Sequence, residues 1–152
     1  MTDYVQVLRE KQEITELLIR MFVGTDNRDW AEVESCFAPS VLFDMTSMSG
    51  GKPSKLTPGE IISQWDNGLQ PLKAIHHQVG NLLIRTNTES AVAFCYGTAS
   101  HYLPNKSGNN TRTFVGSYEF HLIRNNNRWL IDRFKFNLKY IEGNQDLETE
   151  DI

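Results

Sequence analysis

The chain lacks the sequence patterns that several classes of protein require. Its two cysteines, Cys36 and Cys95, lie far apart with no CxxC or Cys/His ligand spacing, so neither a zinc site nor a disulfide framework is indicated. There is no GxSxG motif, no phosphate-binding GxxxxGKS/T loop and no GxGxxG fingerprint after a strand. We therefore expect no metal and no organic cofactor, and we expect both cysteines to be small buried hydrophobic residues.

Long apolar runs and basic clusters are also missing. No apolar stretch approaches the roughly 20 residues that a membrane-spanning helix needs, and residues 1–13 are polar where a secretory signal would be apolar. No run of Lys or Arg offers the phosphate-neutralising surface of a nucleic-acid-binding protein. We expect a cytoplasmic protein that engages neither membrane nor nucleic acid.

Composition and charge divide the chain into a body and a tail. The 152 residues are 39% hydrophobic and 11% aromatic, which is enough for one packed domain. Residues 142–152 carry five acidic and no basic side chains, so the net charge of −4 leaves +1 on residues 1–141. The sequence predicts a single domain over residues 1–141 and an acidic, flexible tail over residues 142–152, which should be dispensable after about Gly143.

Helical signals dominate the first half of the chain. Asp3 can cap a long amphipathic helix that stops near Gly24, and Asp29 can cap a short second helix that continues to Phe37 and ends at Pro39.

A strand, a loop and a third helix are predicted next. Residues 41–45 read as a strand and residues 47–53 as a mobile loop. Thr57 can cap a third helix, with Pro58 at its first position and its end near Leu69.

Four long strands are predicted beyond Pro71, where the hydrophobic pattern changes to a period of two or to continuous β-rich runs. They cover residues 75–85, 90–103, 113–124 and 128–140, and short turn-rich segments join them. Such strands pair antiparallel and form a twisted, curved sheet, with the helices on one face. The sequence therefore predicts an α+β fold in which helices and the concave face of the sheet enclose a pocket.

Histidines on two of these strands are candidates for acid–base chemistry. His76 and His77 have opposite parity on their strand, so one of them points inward. On the next strand small residues share one face from Ala91 to Ala99, which leaves room for a cavity, and His101 ends that face. Asp26, at the end of the long first helix, could orient a histidine through its carboxylate.

Each of these residues also has a purely structural interpretation. Asp26 could be a turn residue before a helix cap, His77 a core histidine with satisfied hydrogen bonds, and His101 a surface residue at a strand end. His76 and His121 are interpreted as exposed strand residues. The residue pattern by itself leaves these alternatives open.

Several segments in the same order resemble scytalone dehydratase, a member of the SnoaL-like, nuclear-transport-factor-2-like superfamily. They are Asp26-Asn27-Arg28-Asp29-Trp30, Phe37-Ala38-Pro39-Ser40-Val41, Phe43-Asp44-Met45-Thr46-Ser47, His77-Gln78-Val79-Gly80-Asn81, Ser100-His101-Tyr102 and Arg128-Trp129-Leu130-Ile131. The resemblance covers most of residues 5–138. It implies a cone-shaped α+β barrel of the cystatin-like type, in which a curved, mostly antiparallel mixed sheet wraps around three amino-terminal helices. It also implies a deep apolar pocket and cofactor-free lyase or isomerase chemistry.

The resemblance also implies site residues. The dehydratase's supporting aspartate falls on Asp26, and its two pocket histidines fall on His77 and His101, which makes these three the predicted catalytic residues. Its water-holding tyrosines fall on Thr25 and Met45, and a pocket asparagine falls near Tyr118. These departures argue against the same substrate and the same water-assisted mechanism. The predicted substrate-binding residues are Thr25, Met45, Tyr118 and Met21.

The leading functional hypothesis is a cofactor-independent dehydratase or isomerase acting on a small cyclic or polyketide-like molecule. In it, His77 oriented by Asp26 removes a proton next to a carbonyl, and His101 or Tyr118 donates one. The alternatives are a non-catalytic ligand-binding or interaction module and a subunit that only scaffolds a larger oxygenase.

A homodimer or higher homo-oligomer is also expected, assembled through the outer face of the sheet. Its contact surface would include Tyr96, Phe120, Phe134 and Phe136 if these aromatic side chains point outward.

Overall fold

The computed structural model describes residues 3–149, and the elements follow one another in the order α1 to α4 and β1 to β6. The helices are α1 (Tyr4–Asp26), α2 (Trp30–Ser35), α3 (Thr46–Ser49) and α4 (Pro58–Leu69). The strands are β1 (Phe37–Asp44), β2 (Ser54–Leu56), β3 (Ala74–Thr86), β4 (Ser90–Tyr102), β5 (Thr111–Asn125) and β6 (Arg128–Gly143).

All three predicted helix starts are confirmed by their caps. The Asp3 side chain accepts a hydrogen bond from the backbone of Val5, and Asp29 and Thr57 accept from the backbones of Glu32 and Glu60. Such caps satisfy backbone donors that have no partner inside the helix. The first helix continues two residues beyond Gly24, so that Asp26 is its last residue.

The sheet has six strands in the order β2-β1-β6-β5-β4-β3. β1 pairs parallel with β6, and the remaining neighbours pair antiparallel. The four long strands are confirmed with ends that lie within three residues of the predicted ones. The main core lies between the helices and one face of the sheet, and α1 lies against β3.

The boundary between α2 and β1 differs from the prediction. The helix stops at Ser35 because Phe37 pairs with Ile131 of β6, and the Cys36 carbonyl accepts a hydrogen bond of 2.9 Å from the Ile131 backbone. Pro39, predicted to end the helix, lies inside β1, where a register irregularity accommodates its missing N–H. Long-range strand pairing therefore overrides the local helical pattern.

Part of the predicted loop over residues 47–53 is a helical turn, α3. The Asp44 carboxylate accepts hydrogen bonds from the Thr46 backbone at 3.0 Å and the Thr46 hydroxyl at 2.6 Å. The Ser47 hydroxyl donates to the Phe136 carbonyl at 2.8 Å, which ties the turn to β6.

Three of the four aromatic residues proposed for the outer face point inward instead. Phe120, Phe134 and Phe136 are buried in the main core, whereas Tyr96 is 45% exposed. Trp129 and Ile131 of β6 are buried too, so strict alternation would turn Phe134 and Phe136 outward. Because Leu122 pairs with Ile131 and His121 with Arg133, one extra residue in β6 reverses the parity.

The segment after β6 also differs from the expected flexible tail. Leu147 is fully buried in a small second core with Leu72, Ile75 and Leu103, and the Glu148 carboxylate forms an ion pair with Arg112. Residues 142–149 thus belong to the folded unit, because one apolar side chain and one ion pair hold them. The rest of the predicted tail, residues 150–152, lies outside the described residues.

No helix within residues 3–149 is both long enough and apolar enough to cross a membrane. The cytoplasmic location expected from the sequence stays a prediction.

Candidate active site

An apolar cavity of about 320 Å³ lies between α1, α4 and the inner face of the sheet. This volume is at the lower end of the range for small-molecule sites. Most of the lining is apolar or aromatic, and its polar side chains are those of Thr25, Gln64, His77, His101, Arg112 and Tyr118. In such a cavity the few polar groups can orient a ligand, while the apolar wall excludes most water.

Asp26 and His77 meet at this cavity. His77 Nδ1 lies 2.6 Å from Asp26 Oδ1, and the backbone N–H of His77 donates to Asp26 Oδ2 at 2.8 Å. The two side chains are only 13% and 14% exposed. The pair forms because α1 lies against β3, and the predicted contact between Asp26 and His77 is therefore present.

The contact with Asp26 sets the proton arrangement on the His77 ring. A carboxylate can only accept hydrogen bonds, so the bonded Nδ1 carries a proton, and in the neutral ring Nε2 keeps its lone pair. Phe22 packs beside the imidazole with a centroid distance of 5.3 Å. His77 is thereby held as a potential proton acceptor.

His101 has the opposite kind of partner. Arg112 Nη2 lies 3.0 Å from His101 Nδ1. A guanidinium has donors only, so Nδ1 must accept and the neutral ring carries its proton on Nε2. Burial, and then the positive charge of Arg112, lower the pKa of His101 to about 4. At neutral pH His101 is therefore an uncharged hydrogen-bond donor.

The lowered pKa of His101 predicts a pH effect on stability. The unfolded chain binds a proton at this residue near pH 6.5 while the folded chain does not, so the stabilising contribution of the neutral ring is lost as the pH falls from 6.5 through about 4. The loss amounts to roughly 3 kcal/mol. Denaturant unfolding of the wild type and of His101→Gln should differ in pH slope within this window, and identical slopes would contradict the assignment.

All four predicted substrate-binding residues, Met21, Thr25, Met45 and Tyr118, line the cavity. The Thr25 hydroxyl donates to the Met21 carbonyl at 2.8 Å, so it can offer a ligand only an acceptor. Burial raises the pKa of Tyr118, which keeps the phenol protonated and able to donate.

Gly97 makes room for the ring of Tyr118. A Cβ atom at this position would come within 2.2 Å of Tyr118 Cε2. Gly97 is one of the small residues of β4 that predicted a cavity wall, and its lack of a side chain leaves space for the Tyr118 ring that lines the cavity.

Sequence reasoning missed Arg112, Gln64, Trp65 and Glu148. The strand register pairs His101 with Arg112, and the short β4–β5 connection was the available signal for this neighbour. Trp65 of α4 packs against Phe43 and Phe134, and it reaches the cavity through tertiary packing alone. No local pattern indicates Glu148.

The other two histidines lie outside the cavity. His76 is exposed, as predicted. His121 is 37% exposed, and its Nδ1 lies 2.6 Å from Asp132 Oδ1 away from the cavity. Within residues 3–149, no three His, Cys, Asp or Glu side chains are grouped in a way that could hold a metal ion.

A known domain family matches this fold and its sequence. The profile of the SnoaL-like domain matches residues 6–135. The chain belongs to the SnoaL-like family. The predicted family is therefore confirmed, whereas no curated protein matches the sequence significantly.

Solved structures resemble the SnoaL-like domain over most of its length. The Kfla4162 protein of Kribbella flavida has a TM-score of 0.85 at 20% identity, covering 91% of this chain and 96% of that chain. A protein provisionally named scytalone dehydratase, from Novosphingobium aromaticivorans, has a TM-score of 0.78 at 12% identity, covering 91% and 89%. The hexachlorocyclohexane dehydrochlorinase LinA-type3 of Novosphingobium barchaimii has a TM-score of 0.75 at 15% identity, covering 91% and 92%. At these identities the likeness shows the fold, and the predicted α+β, cystatin-like class is confirmed.

Proposed function

We propose that this SnoaL-like protein is a lyase or isomerase that acts by proton transfer on a small, cyclic or polyketide-like molecule. The observation that carries the proposal is the Asp26–His77 pair, with Nδ1 and Oδ1 2.6 Å apart at the wall of an apolar cavity. Two of its structural neighbours are named for eliminations, one of water and one of hydrogen chloride, which supports the same class.

In the proposed reaction His77 Nε2 removes a proton next to a carbonyl or leaving group. Asp26 stabilises the imidazolium that forms, since its carboxylate accepts the Nδ1 proton. The electron pair moves toward an oxygen that the neutral His101 and the Tyr118 hydroxyl can bind as donors. In an elimination the enolate pair then forms the new C=C bond, and the leaving group departs with the electrons of its own bond and takes up the proton that His77 accepted. In an isomerisation that proton returns to another carbon, which shifts the double bond.

The two cavity histidines therefore have different roles in this proposal. His77 faces a carboxylate and accepts a proton, whereas His101 faces a guanidinium and donates a hydrogen bond. The sequence hypothesis treated His101 or Tyr118 as the proton donor. In the neutral form set by Arg112, His101 suits oxygen binding better than delivery of a proton from an imidazolium.

A panel of small ketones tests the proposal. Cyclic β-hydroxy ketones report water elimination and cyclic β,γ-unsaturated ketones report a double-bond shift. Both are incubated in deuterated buffer and followed by NMR, with an enzyme sample dialysed against a chelator in parallel. We expect deuterium uptake next to the carbonyl, or product, with and without chelation. Binding of these ketones with neither exchange nor product would favour the non-catalytic alternative.

We also propose that two copies assemble through the outer face of the sheet. Leu83, Val92 and Tyr96 are 70%, 42% and 45% exposed there, and Phe94 lies beside Tyr96 at 5.7 Å between ring centroids. Apolar groups gathered on neighbouring strands favour contact with another protein surface.

Light scattering of the purified protein is expected to give the mass of a dimer. Leu83→Glu should yield a folded monomer. The protein still folds because the changed side chain is exposed, and the dimer is lost because a charge is placed in the proposed contact surface. Val5→Glu on α1, another exposed apolar position, should leave the dimer intact. A monomeric wild type at micromolar concentration would refute the proposed assembly.

A further inference from the structure

Residues 144–149 follow β6 and pack beside the start of β5, where they contact Arg112 of the cavity wall. Leu147 anchors this carboxyl-terminal segment in the second core. The Asn144 backbone N–H donates to the Thr111 carbonyl at 2.8 Å, and its side-chain amide donates to the Asn109 carbonyl at 3.0 Å. The segment is therefore fixed beside the start of β5, and Glu148 lies next to Arg112.

Glu148 holds the guanidinium of Arg112 with both carboxylate oxygens. Arg112 Nη1 donates to Oε2 at 2.8 Å, and Nη2 donates to Oε1. The side chains are 12% and 28% exposed. Hydrogen bonding from Arg112 lowers the pKa of Glu148, so the carboxylate stays charged at neutral pH. Paired bonds of this kind fix the plane of a guanidinium as well as its position.

We propose that Glu148 is a positioning residue for His101. It holds Arg112 in the orientation in which Nη2 donates to His101 Nδ1, and this selects the neutral tautomer with the proton on Nε2. The importance of the Nε2 proton for turnover rests on the proposed function, whereas the effect of Glu148 on the tautomer of His101 is independent of it.

Arg112 is the neighbour that fixes the tautomer of His101. The charged and titratable groups that act on the ring are Arg112, His77, Glu148 and Asp26. In the described structure, the hydrogen bond that constrains His101 Nδ1 comes from Arg112. If the guanidinium swings away, a neutral imidazole can exchange between its two tautomers, and half of the possible arrangements then present an acceptor to the cavity.

The role differs from general stabilisation of the fold. Leu147 supplies the apolar anchor of the segment. The ion pair between Arg112, which lines the cavity, and Glu148 contributes little to stability through charge alone, because Glu148 is partly exposed. A change from Glu148 to Gln keeps the size of the side chain and removes the charge-assisted pairing.

The experiment measures ring nitrogen resonances of His101 by NMR in protein with ¹⁵N-labelled histidine at neutral pH. The wild type is expected to show Nδ1 without a proton and Nε2 with one. Glu148→Gln should give averaged shifts from a mixture of tautomers. Asp146→Asn removes one negative charge from an exposed position of the same segment and should retain the wild-type tautomer.

A second variant guards against misfolding of the first. Arg112→Met combined with Glu148→Gln removes the donor and leaves no unpaired charge, so it should also give the tautomer mixture. A single wild-type tautomer in both variants would overturn the proposal.

Kinetics separate this proposal from the proposed function. On a substrate from the ketone panel, Glu148→Gln should lower kcat by about 10- to 100-fold with little change in KM. A shifted tautomer with full activity in His77→Gln would retain Glu148 as a positioning residue and reject the proposed catalysis. Lost activity in Glu148→Gln with an unchanged tautomer would reject the positioning role.

Discussion

Replacing His77 with glutamine is expected to lower kcat/KM about 10²–10⁴-fold, the range that a positioned proton-transfer group supplies. Glutamine can still fill the space and donate to Asp26, but it has no basic nitrogen in place of Nε2. Ligand binding should be largely kept, because the apolar wall of the cavity is unchanged. Turnover of a panel substrate and the dissociation constant of a bound product analogue measure the two effects separately.

The chain contains its own matched control for this experiment. His121 and Asp132 form a second pair with the same Nδ1–Oδ1 distance of 2.6 Å, but they lie away from the cavity. His121→Gln should therefore leave turnover unchanged while removing a similar contact. Equal losses in both variants would show that the effect is structural and would contradict the assignment of His77.

Asp26→Asn is expected to cause a loss of the same order for a different reason. The amide can donate to His77 Nδ1, which would move the ring proton to Nε2 and remove the lone pair from the cavity. The His77 backbone N–H can only donate, so the amide oxygen of the asparagine stays opposite it and that hydrogen bond is kept. Recovery of turnover in Asp26→Glu, but not in Asp26→Asn, would support a requirement for the carboxylate.

The second large effect concerns stability. Leu147→Ala is expected to lower the free energy of unfolding by about 2–5 kcal/mol, the usual cost of emptying a fully buried leucine site. Urea unfolding followed by circular dichroism measures this directly. Deleting residues 144–152 should cost at least as much, since it also removes Glu148 from Arg112.

Asp146→Asn and Thr149→Ala are suitable controls, because both residues are exposed on the same segment. They should change the unfolding midpoint only slightly. If Leu147→Ala matched these controls, the dispensable tail predicted from the sequence would be the correct description after all.

Much of the fold follows from patterns within a few residues of each other. The helical spacing of Ile14, Leu17, Leu18 and Met21 defines the buried side of α1, and all four are buried. Asp3, Asp29 and Thr57 mark helix starts because they accept backbone donors that are only two or three residues away. Parity on β3 places His76 and His77 on opposite faces for the same local reason, and in the structure His77 faces the cavity while His76 faces solvent.

Other features depended on pairing between distant parts of the chain. The end of α2 is decided by the parallel pairing of Phe37 with Ile131, and the inward direction of Phe134 and Phe136 is decided by one extra residue in β6. Propensity and alternation describe a segment alone, so neither can register a partner strand nearly 100 positions away or a bulge that reverses parity.

In the candidate site, too, some features follow from local sequence patterns and others from contacts between distant parts of the chain. The sequence by itself determined the SnoaL-like fold class and its catalytic candidates Asp26, His77 and His101, because helix ends, strand parity and an ordered set of family motifs are local signals. Only the tertiary structure decided how the two histidines differ. Asp26 makes one an acceptor, while Arg112 and Glu148 make the other a neutral donor. That difference arises because proton arrangement depends on which charged group the fold brings within about 3 Å of each ring.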